Sequence, residues 1–333
     1  MAQRSDFRRV VVLGGGAWGT ALALVAARAG REAIVWARDA ATIEAINETG
    51  TNPRYLPDVT FEGEITATDD AGFLTEADII IASIPAQAMR GVLLALSRHI
   101  APGTPVVSAA KGLERGSLAT MTRVIGDSVP HAQAAILSGP SFASDVARGL
   151  PTALTIAAED ATLADHVAQA LASPTFRPYA SNDVIGVELG GALKNVIAIA
   201  AGIVAGAQLG ASAQAALIAR GFAEMSRLAA QLGAQPATLM GLSGLGDLVL
   251  STGSTQSRNF ALGFAIGAGK MTATTQAGGK LAEGAFTASV VIELAARHGL
   301  DLPVSHAVSD VLAGQLDVRG AVAQLMTRPL KPE

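Results

Sequence analysis

The chain contains no cysteine, so disulfides, thiolate nucleophiles and cysteine-based metal sites are excluded. That composition is compatible with a reducing compartment. Charged residues are also scarce, at 16% of 333, whereas half of the chain is hydrophobic. Such a composition excludes a disordered chain and supplies enough apolar material for a sizeable core. The length predicts two domains of ordinary size.

There is no excess of basic residues, since 24 Lys and Arg stand against 28 Asp and Glu, for a net charge of −4. We therefore expect no nucleic-acid partner. The five histidines show no ligand spacing, and we assign no metal site. The first nine residues lack the apolar stretch of a secretory signal, which predicts a cytoplasmic protein.

One uncharged run, residues 195–219, is long enough to cross a bilayer. Polar residues and glycines interrupt it, and its apolar content is mostly alanine, which sits poorly in hydrocarbon. We interpret the run as two buried helices joined near Gly206–Gly210. The sequence therefore predicts no membrane span.

The first half of the chain alternates β-branched runs with alanine-rich helical patterns. The predicted strands are Val10–Leu13, Ala33–Trp36, Ile79–Ile81, Pro105–Ser108 and Ala134–Leu137, with Thr152–Ala157 and Arg177–Tyr179 as extensions. The predicted helices between them are Trp18–Ala29, Ala40–Glu48, Ala86–His99 and Ser117–Gly126. This alternation predicts an α/β fold with a doubly wound, Rossmann-type parallel sheet covered by helices on both faces.

The pattern changes after about Asp183, where strand-like runs give way to long Ala/Leu/Gly helices. We predict a dinucleotide-binding domain over residues 1–183 and an all-helical substrate domain over residues 184–333. The helical domain can equally pack internally or form the face of a homodimer. The Gly- and Thr-rich stretch Gly267–Gly279 is predicted to be a mobile loop.

A glycine-rich turn follows the first predicted strand. Gly14, Gly16 and Gly19 form the pattern G-x-G-x-x-G between that strand and the next helix. Gly14 permits a tight turn, Gly16 lets a pyrophosphate approach the backbone, and Gly19 lets the helix pack against the strand. With a second strand ending near residue 36, this context predicts a dinucleotide site rather than a plain glycine turn.

Two residues after the second strand are candidates for reading the ribose. Asp39 lies twenty residues after Gly19, where a ribose-binding acid is expected, and Arg38 beside it favours a 2′-phosphate. Alternatively, either residue merely begins the next helix, with Asp39 as its cap. We favour Arg38 at the adenosine end and leave both NAD and NADP open.

Further polar groups follow later strands of the predicted sheet. Lys111 comes after Pro105–Ser108, and the turn Ser138–Ser141 follows the strand that ends at Leu137. Ligands of doubly wound sheets collect at the carboxyl ends of the strands. These groups are therefore candidate ligand contacts, although a lysine after a strand is often only solvated.

Lys194 is the most informative charged residue. From Val184 to Ile203 the pattern is helical and apolar, and its only charges are Glu188 and Lys194. A buried ammonium either has its pKa lowered or finds an acidic partner, and both outcomes suit a proton donor to a carbonyl oxygen. The alternatives are a lysine that reaches water along the helix, or a structural pair with Glu188.

Two later segments supply groups of matching chemistry. Asp247 is a lone carboxylate in the glycine-rich stretch Leu242–Leu248, where it is either a partner for Lys194 or a helix cap. Eleven residues later, Arg258 stands within Ser254–Asn259, which combines a guanidinium, an amide and hydroxyls. These groups commonly bind phosphate, although they are also ordinary loop composition.

Taken together, these segments resemble the bacterial NAD(P)-dependent glycerol-3-phosphate dehydrogenase family. The most specific matches are Gly190-Gly191-Ala192-Leu193-Lys194-Asn195-Val196, Gly244-Leu245-Gly246-Asp247-Leu248 and Ser257-Arg258-Asn259. The likeness runs in order through nearly the whole chain. It implies reduction of dihydroxyacetone phosphate to sn-glycerol 3-phosphate for glycerophospholipid synthesis, with NAD or NADP as cofactor and a phosphorylated small molecule as substrate.

The resemblance also implies roles for individual residues. Lys194 would be the catalytic acid and base, and Asp247 would complete the polar centre. The implied cofactor contacts, besides the turn glycines, are Ala17, Trp18, Arg38, Lys111, Ala143, Arg258 and Glu283. The implied substrate contacts are Lys111, Gly139, Ser141, Lys194, Asp247, Ser257, Arg258 and Asn259.

The chain departs from the family pattern at three positions. The family usually has Asp at Ala205, Asn at Ser212 and Thr at Ser251. Ala205 and Ser212 put the hydrogen bonding of the interhelical loop in doubt, whereas Ser251 keeps its hydroxyl. Two rival functions stay open: a related dehydrogenase acting on a hydroxy acid or a sugar, and a non-catalytic dinucleotide sensor.

Overall fold

The computed structural model describes residues 7–270 and 282–329. Within the described residues there are two compact units, one over 7–110 and 119–188, the other over 111–118, 189–270 and 282–329. The division lies five residues after the expected position at 183/184, and the short segment Lys111–Leu118 joins the second unit. Of the predicted loop Gly267–Gly279, residues 271–279 lie outside the described residues.

The first unit is an α/β layer structure. Its described strands are β1 (Arg9–Leu13), β2 (Glu32–Trp36), β3 (Thr51–Asn52), β4 (Leu56–Thr60), β5 (Ile65–Thr68), β6 (Ile79–Ala82), β7 (Pro105–Ser108), β8 (Gln133–Ser138), β9 (Thr152–Ala157) and β10 (Phe176–Ser181). Among these, β3 and β4 pair as a separate hairpin, and the other eight form one sheet in the order β10-β9-β8-β7-β6-β1-β2-β5.

Helices cover this sheet on both faces. They are α1 (Ala17–Arg28), α2 (Ala40–Thr49), α3 (Ala86–Leu96), α4 (Met121–Ser128), α5 (Ala143–Ala147) and α6 (Ala161–Leu171). Alternate residues of β1 enter two different apolar clusters: Val10 and Val12 pack with α1 and α6, and Val11 and Leu13 pack with α3 and α4. A sheet buried on both faces explains the continuous apolar runs of its strands. The predicted α/β class is confirmed.

Three features differ from the sequence-based expectation. Strand β9 runs antiparallel to β8, so the sheet is mostly rather than wholly parallel. Strand β5 and the β3–β4 hairpin were not predicted, because they are short and carry polar residues that break the apolar pattern. The helix expected from Ser117 begins at Met121, because Lys111–Leu118 packs with the second unit.

The second unit is all-helical within the described residues. Helix α7 (Val184–Gly206) starts in the first unit and continues into the second, which adds α8 (Ala211–Gln231), α9 (Pro236–Leu239), α10 (Asp247–Thr252), α11 (Arg258–Gly267), α12 (Glu283–Arg297), α13 (Pro303–Leu312) and α14 (Val318–Met326). The predicted break between two helices near Gly206–Gly210 is confirmed, but the predicted burial of the second helix is wrong for its first half, because residues 211–219 are exposed or half-buried. The N–H groups of Gln208 and Leu209 donate to the carbonyl oxygens of Ala205 and Val204 and close this connection. These bonds are made by the backbone, so they do not need the Asp and Asn side chains that the family usually has at positions 205 and 212.

Glycines let α7 and α11 pack with their backbones nearly in contact. A Cβ atom added at Gly202 would lie 2.2 Å from the Phe260 carbonyl oxygen, and one added at Gly263 would lie 2.0 Å from that of Ile199. Gly206 and Gly267 make the same kind of contact one turn further on. The two helices therefore run parallel in a fixed register, which brings the start of α11 beside the middle of α7.

Helix α7 is long and apolar enough to span a membrane by length and composition. However, 89% of its most apolar 18-residue window is buried inside the protein. That degree of burial is typical of the core helix of a soluble protein.

Candidate active site

The centre of the second unit is a cluster of two lysines on one aspartate. The Nζ atom of Lys194 lies 3.0 Å from Oδ1 of Asp247, and Nζ of Lys111 lies 2.8 Å from Oδ2. Lys194 is 7% exposed and Asp247 is 1% exposed. Of the two alternatives for Asp247, the structure shows the lysine partner rather than the cap, since Gly246 stands at the cap position of α10.

Burial and charge together set the protonation of this cluster. Burial lowers the pKa of the Lys194 amine from 10.5 to about 8, although the negative charge of Asp247 opposes the shift. Burial alone would raise the pKa of the Asp247 carboxyl, but Lys111 and Lys194 hold that pKa below its ordinary value. Lys194 can therefore give up or accept a proton close to neutral pH while Asp247 stays ionised.

A hydroxyl completes the surroundings of the Lys194 amine. Lys194 Nζ donates to Ser251 Oγ at 2.7 Å. Ser251 lies four residues after Asp247, so both side chains project from the same face of α10. The turn before α10, Leu242–Gly246, is a π-helical turn, and Gly190 of α7 lets its backbone approach closely: a Cβ there would lie 2.8 Å from the Ser243 carbonyl oxygen.

A chain of amide hydrogen bonds holds Lys111 and α11 around α7. Asn195 Nδ2 donates to the Lys111 carbonyl oxygen at 2.9 Å, and its Oδ1 accepts from Asn259 Nδ2 at 2.8 Å. Asn259 Oδ1 in turn accepts from the Gly284 amide at 3.0 Å. Glu283, the first residue of α12, accepts the Lys111 backbone N–H at 3.3 Å. These bonds order the segments that flank Lys194.

The glycine turn of the first unit has the geometry of an anion cradle. Gly14 has φ +115°, and a Cβ at Gly19 would lie only 1.8 Å from the Gly14 carbonyl oxygen. By contrast, nothing lies within 4 Å of the Cβ position at Gly16. Helix α1 starts after Gly16 with Ala17 and Trp18, and has no capping side chain. Its first turn therefore presents backbone to a ligand, as a pyrophosphate requires.

Asp39 behaves as the helix cap that the sequence offered as one alternative. Its Oδ2 accepts from the Thr42 N–H at 3.2 Å and from Thr42 Oγ1 at 2.6 Å, and it starts α2. The hydrogen bond from the Thr42 hydroxyl is the main reason that the pKa of the Asp39 carboxyl lies below its ordinary value. Arg38 beside it is exposed to solvent.

The turn after β8 is held in a conformation that needs glycine. Gly139 has φ +151°, and a Cβ there would lie 2.7 Å from Leu154 Cβ of β9. Ser141 Oγ donates to the Gly139 carbonyl oxygen at 3.0 Å. Ala143 is the first residue of α5, after a cap position without a side-chain bond. The turn thus presents a hydroxyl and a helix start in the first unit.

The phosphate-binding candidates lie at the start of α11. Ser257 caps this helix and accepts the Phe260 N–H at 3.3 Å, whereas Arg258 is exposed.

Glu188, the other charged residue of α7 noted in the sequence, accepts hydrogen bonds from Thr122 instead of pairing with Lys194. Sequence reasoning assigned no role to Asn195 or Ser251. Two signals for them were available in the sequence. Asn195 directly follows Lys194, and Ser251 lies one helical turn after Asp247.

Family models match almost the whole chain. The model for the N-terminus of NAD-dependent glycerol-3-phosphate dehydrogenase matches residues 9–164, and the model for its C-terminus matches residues 183–323. A glycerol-3-phosphate dehydrogenase (NAD(P)+) of Bradyrhizobium diazoefficiens is 56% identical over 327 residues, covering 98% of this chain and 99% of that protein. One from Azorhizobium caulinodans is 54% identical over 329 residues, covering 99% of each.

A solved structure shows the same fold. The crystal structure of glycerol-3-phosphate dehydrogenase from Coxiella burnetii is similar with a TM-score of 0.90 and 37% sequence identity. The match covers 97% of this chain and all of that one.

Proposed function

Since this chain belongs to the NAD-dependent glycerol-3-phosphate dehydrogenase family, we propose that it reduces dihydroxyacetone phosphate to sn-glycerol 3-phosphate, reversibly, with NAD(P)H. The product is the entry compound for glycerophospholipid synthesis. The observation that carries the proposal is the buried Lys194–Asp247 pair with its lowered lysine pKa, together with the glycine cradle of the first unit.

The glycine turn fits a dinucleotide, because Gly16 leaves its backbone open where a pyrophosphate would approach. Gly14, Gly16, Ala17, Trp18 and Gly19 would hold the cofactor. When bound, the nicotinamide supplies the hydride for the carbonyl carbon. The protein supplies position and charge.

Lys194 is the acid in this mechanism. As hydride reaches the carbonyl carbon, negative charge grows on the carbonyl oxygen, and the Lys194 ammonium donates a proton to that oxygen. In the reverse direction the neutral amine removes the proton from the hydroxyl. Asp247 and Ser251 hold the lysine nitrogen in place through bonds of 3.0 and 2.7 Å.

The phosphate end of the substrate needs its own cation. Arg258 serves this role at the first position of α11, where helix N–H groups also favour an anion. Asn259 orients this helix start through its bonds to Asn195 and Gly284. Such a clamp fixes the carbonyl carbon for transfer and discriminates against substrates without phosphate.

The test is to measure NADPH and NADH oxidation by the purified protein with dihydroxyacetone phosphate, and with unphosphorylated dihydroxyacetone as the matched control. We expect oxidation with the phosphorylated ketone and formation of sn-glycerol 3-phosphate. Failure to oxidise either cofactor would favour a dinucleotide sensor. Equal rates with both ketones would favour a different dehydrogenase.

The proposal includes a homodimer in the cytoplasm. Large apolar side chains exposed on the second unit support an assembly, namely Leu209, Met240, Val249 and Phe264 at 42%, 60%, 62% and 38% exposure. The absence of cysteine is compatible with a reducing compartment. Sedimentation of the purified protein should give a mass near twice 33.6 kDa; a monomer at all concentrations would contradict the dimer.

A further inference from the structure

A second arginine, Arg54, lies beside Asp39 at the start of α2. Arg54 stands between β3 and β4, and its Nη1 lies 3.2 Å from Asp39 Oδ2. The two side chains are 59% and 46% exposed, so both are accessible to a ligand. The Arg54 guanidinium also lies 5.4 Å from the centre of the Tyr55 ring.

The hairpin that carries Arg54 is bonded directly to the glycine turn. Asn52 of β3 is fully buried, and its Nδ2 donates to the Gly15 carbonyl oxygen at 3.0 Å and to Thr20 Oγ1 at 2.8 Å. Because Arg54 follows Asn52 by two residues, the position of its backbone is tied to the cradle. Arg54 is thus a fixed part of this region of the first unit.

Arg54 also changes what Asp39 can do. A ribose-reading acid binds the hydroxyl groups of an unphosphorylated ribose and repels a 2′-phosphate. Here Asp39 Oδ2 already accepts three donors, two from Thr42 and one from Arg54. The positive charge of Arg54 offsets the negative charge of Asp39. With the further positive charge of Arg38, the three residues Arg38, Asp39 and Arg54 carry a net charge of about +1. Such a group favours a phosphate dianion over a neutral ribose.

We propose that Arg54 and Arg38 together bind the 2′-phosphate of NADP(H), and that Arg54 makes the protein prefer NADP(H) over NAD(H) by neutralising Asp39. This inference rests on the proposed function only in requiring that a dinucleotide binds to the glycine turn. It adds Arg54 as a residue that determines cofactor specificity. Asp39 then acts as the N-cap of α2 and not as a ligand of the ribose hydroxyl groups.

The direct test uses ligands that lack the nicotinamide. Calorimetry would compare adenosine 2′,5′-bisphosphate with 5′-AMP on the full-length wild type, Arg54→Met and a control, Arg123→Met. Arg123 is a suitable control because it is an exposed arginine paired with Asp127 within α4. We expect the wild type to bind the bisphosphate at least about tenfold more tightly than 5′-AMP, as charged hydrogen bonds to a phosphate imply.

Arg54→Met should lose about tenfold in affinity for the bisphosphate, with less than a twofold change for 5′-AMP. Arg54→Lys should recover part of that loss, and Arg123→Met should resemble the wild type. Wild-type affinities that are equal for the two ligands would overturn the inference. So would an Arg54→Met variant that loses both ligands equally, since that indicates a structural defect.

The outcome is separable from that of the proposed function. Selective binding of the bisphosphate with no turnover of dihydroxyacetone phosphate would support the role of Arg54 and contradict the enzyme activity. Turnover with NADH as efficient as with NADPH, together with unselective binding, would support the activity and contradict the role of Arg54.

Discussion

Glu188 and Asp247 are both buried carboxyl groups, 5% and 1% exposed, but their pKa values move in opposite directions. Burial raises the pKa of Glu188 to about 7, and the hydrogen bonds from Thr122 only partly oppose it. At Asp247 the same effect of burial is outweighed by Lys111 and Lys194. The first carboxyl meets neutral donors, whereas the second meets two ammonium groups.

The comparison shows that the partner, rather than burial, decides whether a buried carboxyl stays charged. Glu188 accepts the Thr122 N–H at 2.8 Å in the first turn of α4, so it acts as a cap supplied by another helix. Asp247 instead keeps a charge that orients a titrating lysine. Glu188 thus supports the fold of the first unit, whereas Asp247, in the proposed mechanism, serves the chemistry of the second.

Removing the charge of Asp247 should have the largest effect. Asp247→Asn leaves the buried Lys194 and the half-buried Lys111 without their carboxylate, which should cost about 3–5 kcal/mol in the free energy of unfolding. Denaturant titration measures this loss, with Asp165→Asn as the control, because Asp165 is exposed and accepts a hydrogen bond from the neutral amide of Gln169. A loss no larger than that of the control would contradict the role of the buried pair.

Removing the lysine should act on catalysis. Lys194→Ala should lower kcat by a factor on the order of a hundred or more, as loss of a general acid implies, while cofactor binding persists. Steady-state kinetics and cofactor titration separate the two effects. Lys270→Ala removes an exposed lysine and should leave kcat unchanged. Near-normal turnover by Lys194→Ala would exclude it as the acid.

The smallest effect is expected for Glu188→Gln, and it depends on pH. The folded pKa of Glu188, about 7, lies above its ordinary value of 4.5. Its contribution to stability is therefore fully present below about pH 4.5 and is lost as the pH rises through about 7, a change on the order of 3 kcal/mol. In the glutamine variant, the fall in the free energy of unfolding between about pH 4.5 and 7 should become smaller. An unchanged slope in urea titrations from pH 4.5 to 8 would show that Glu188 does not titrate there.

The parts of the molecule that local sequence patterns specify were predicted well. The glycine turn and the strands of the first unit are encoded in consecutive residues, since Gly14–Gly19 and the apolar runs carry their own spacing. Lys194 was also recognisable, because a charge within an apolar helix stands out. Each of these signals lies within one segment of the chain.

Features that depend on distant segments could not be predicted in the same way. Lys111 meets Asp247 across 136 residues, and only the fold of the second unit brings them together. The reversed direction of β9 and the Asn195–Asn259 contact likewise depend on tertiary packing. Arg54 was overlooked because its hairpin has no strong strand pattern.

The pH dependence of the two reaction directions tests the central claim about Lys194 most directly. With its pKa near 8, kcat/KM for ketone reduction should fall as the pH rises above about 8, because the ammonium is the donor. For alcohol oxidation, kcat/KM should rise through the same pH, because the neutral amine is the acceptor. Profiles that bend in the same direction, or that are flat between pH 6.5 and 9.5, would contradict a proton-transferring Lys194.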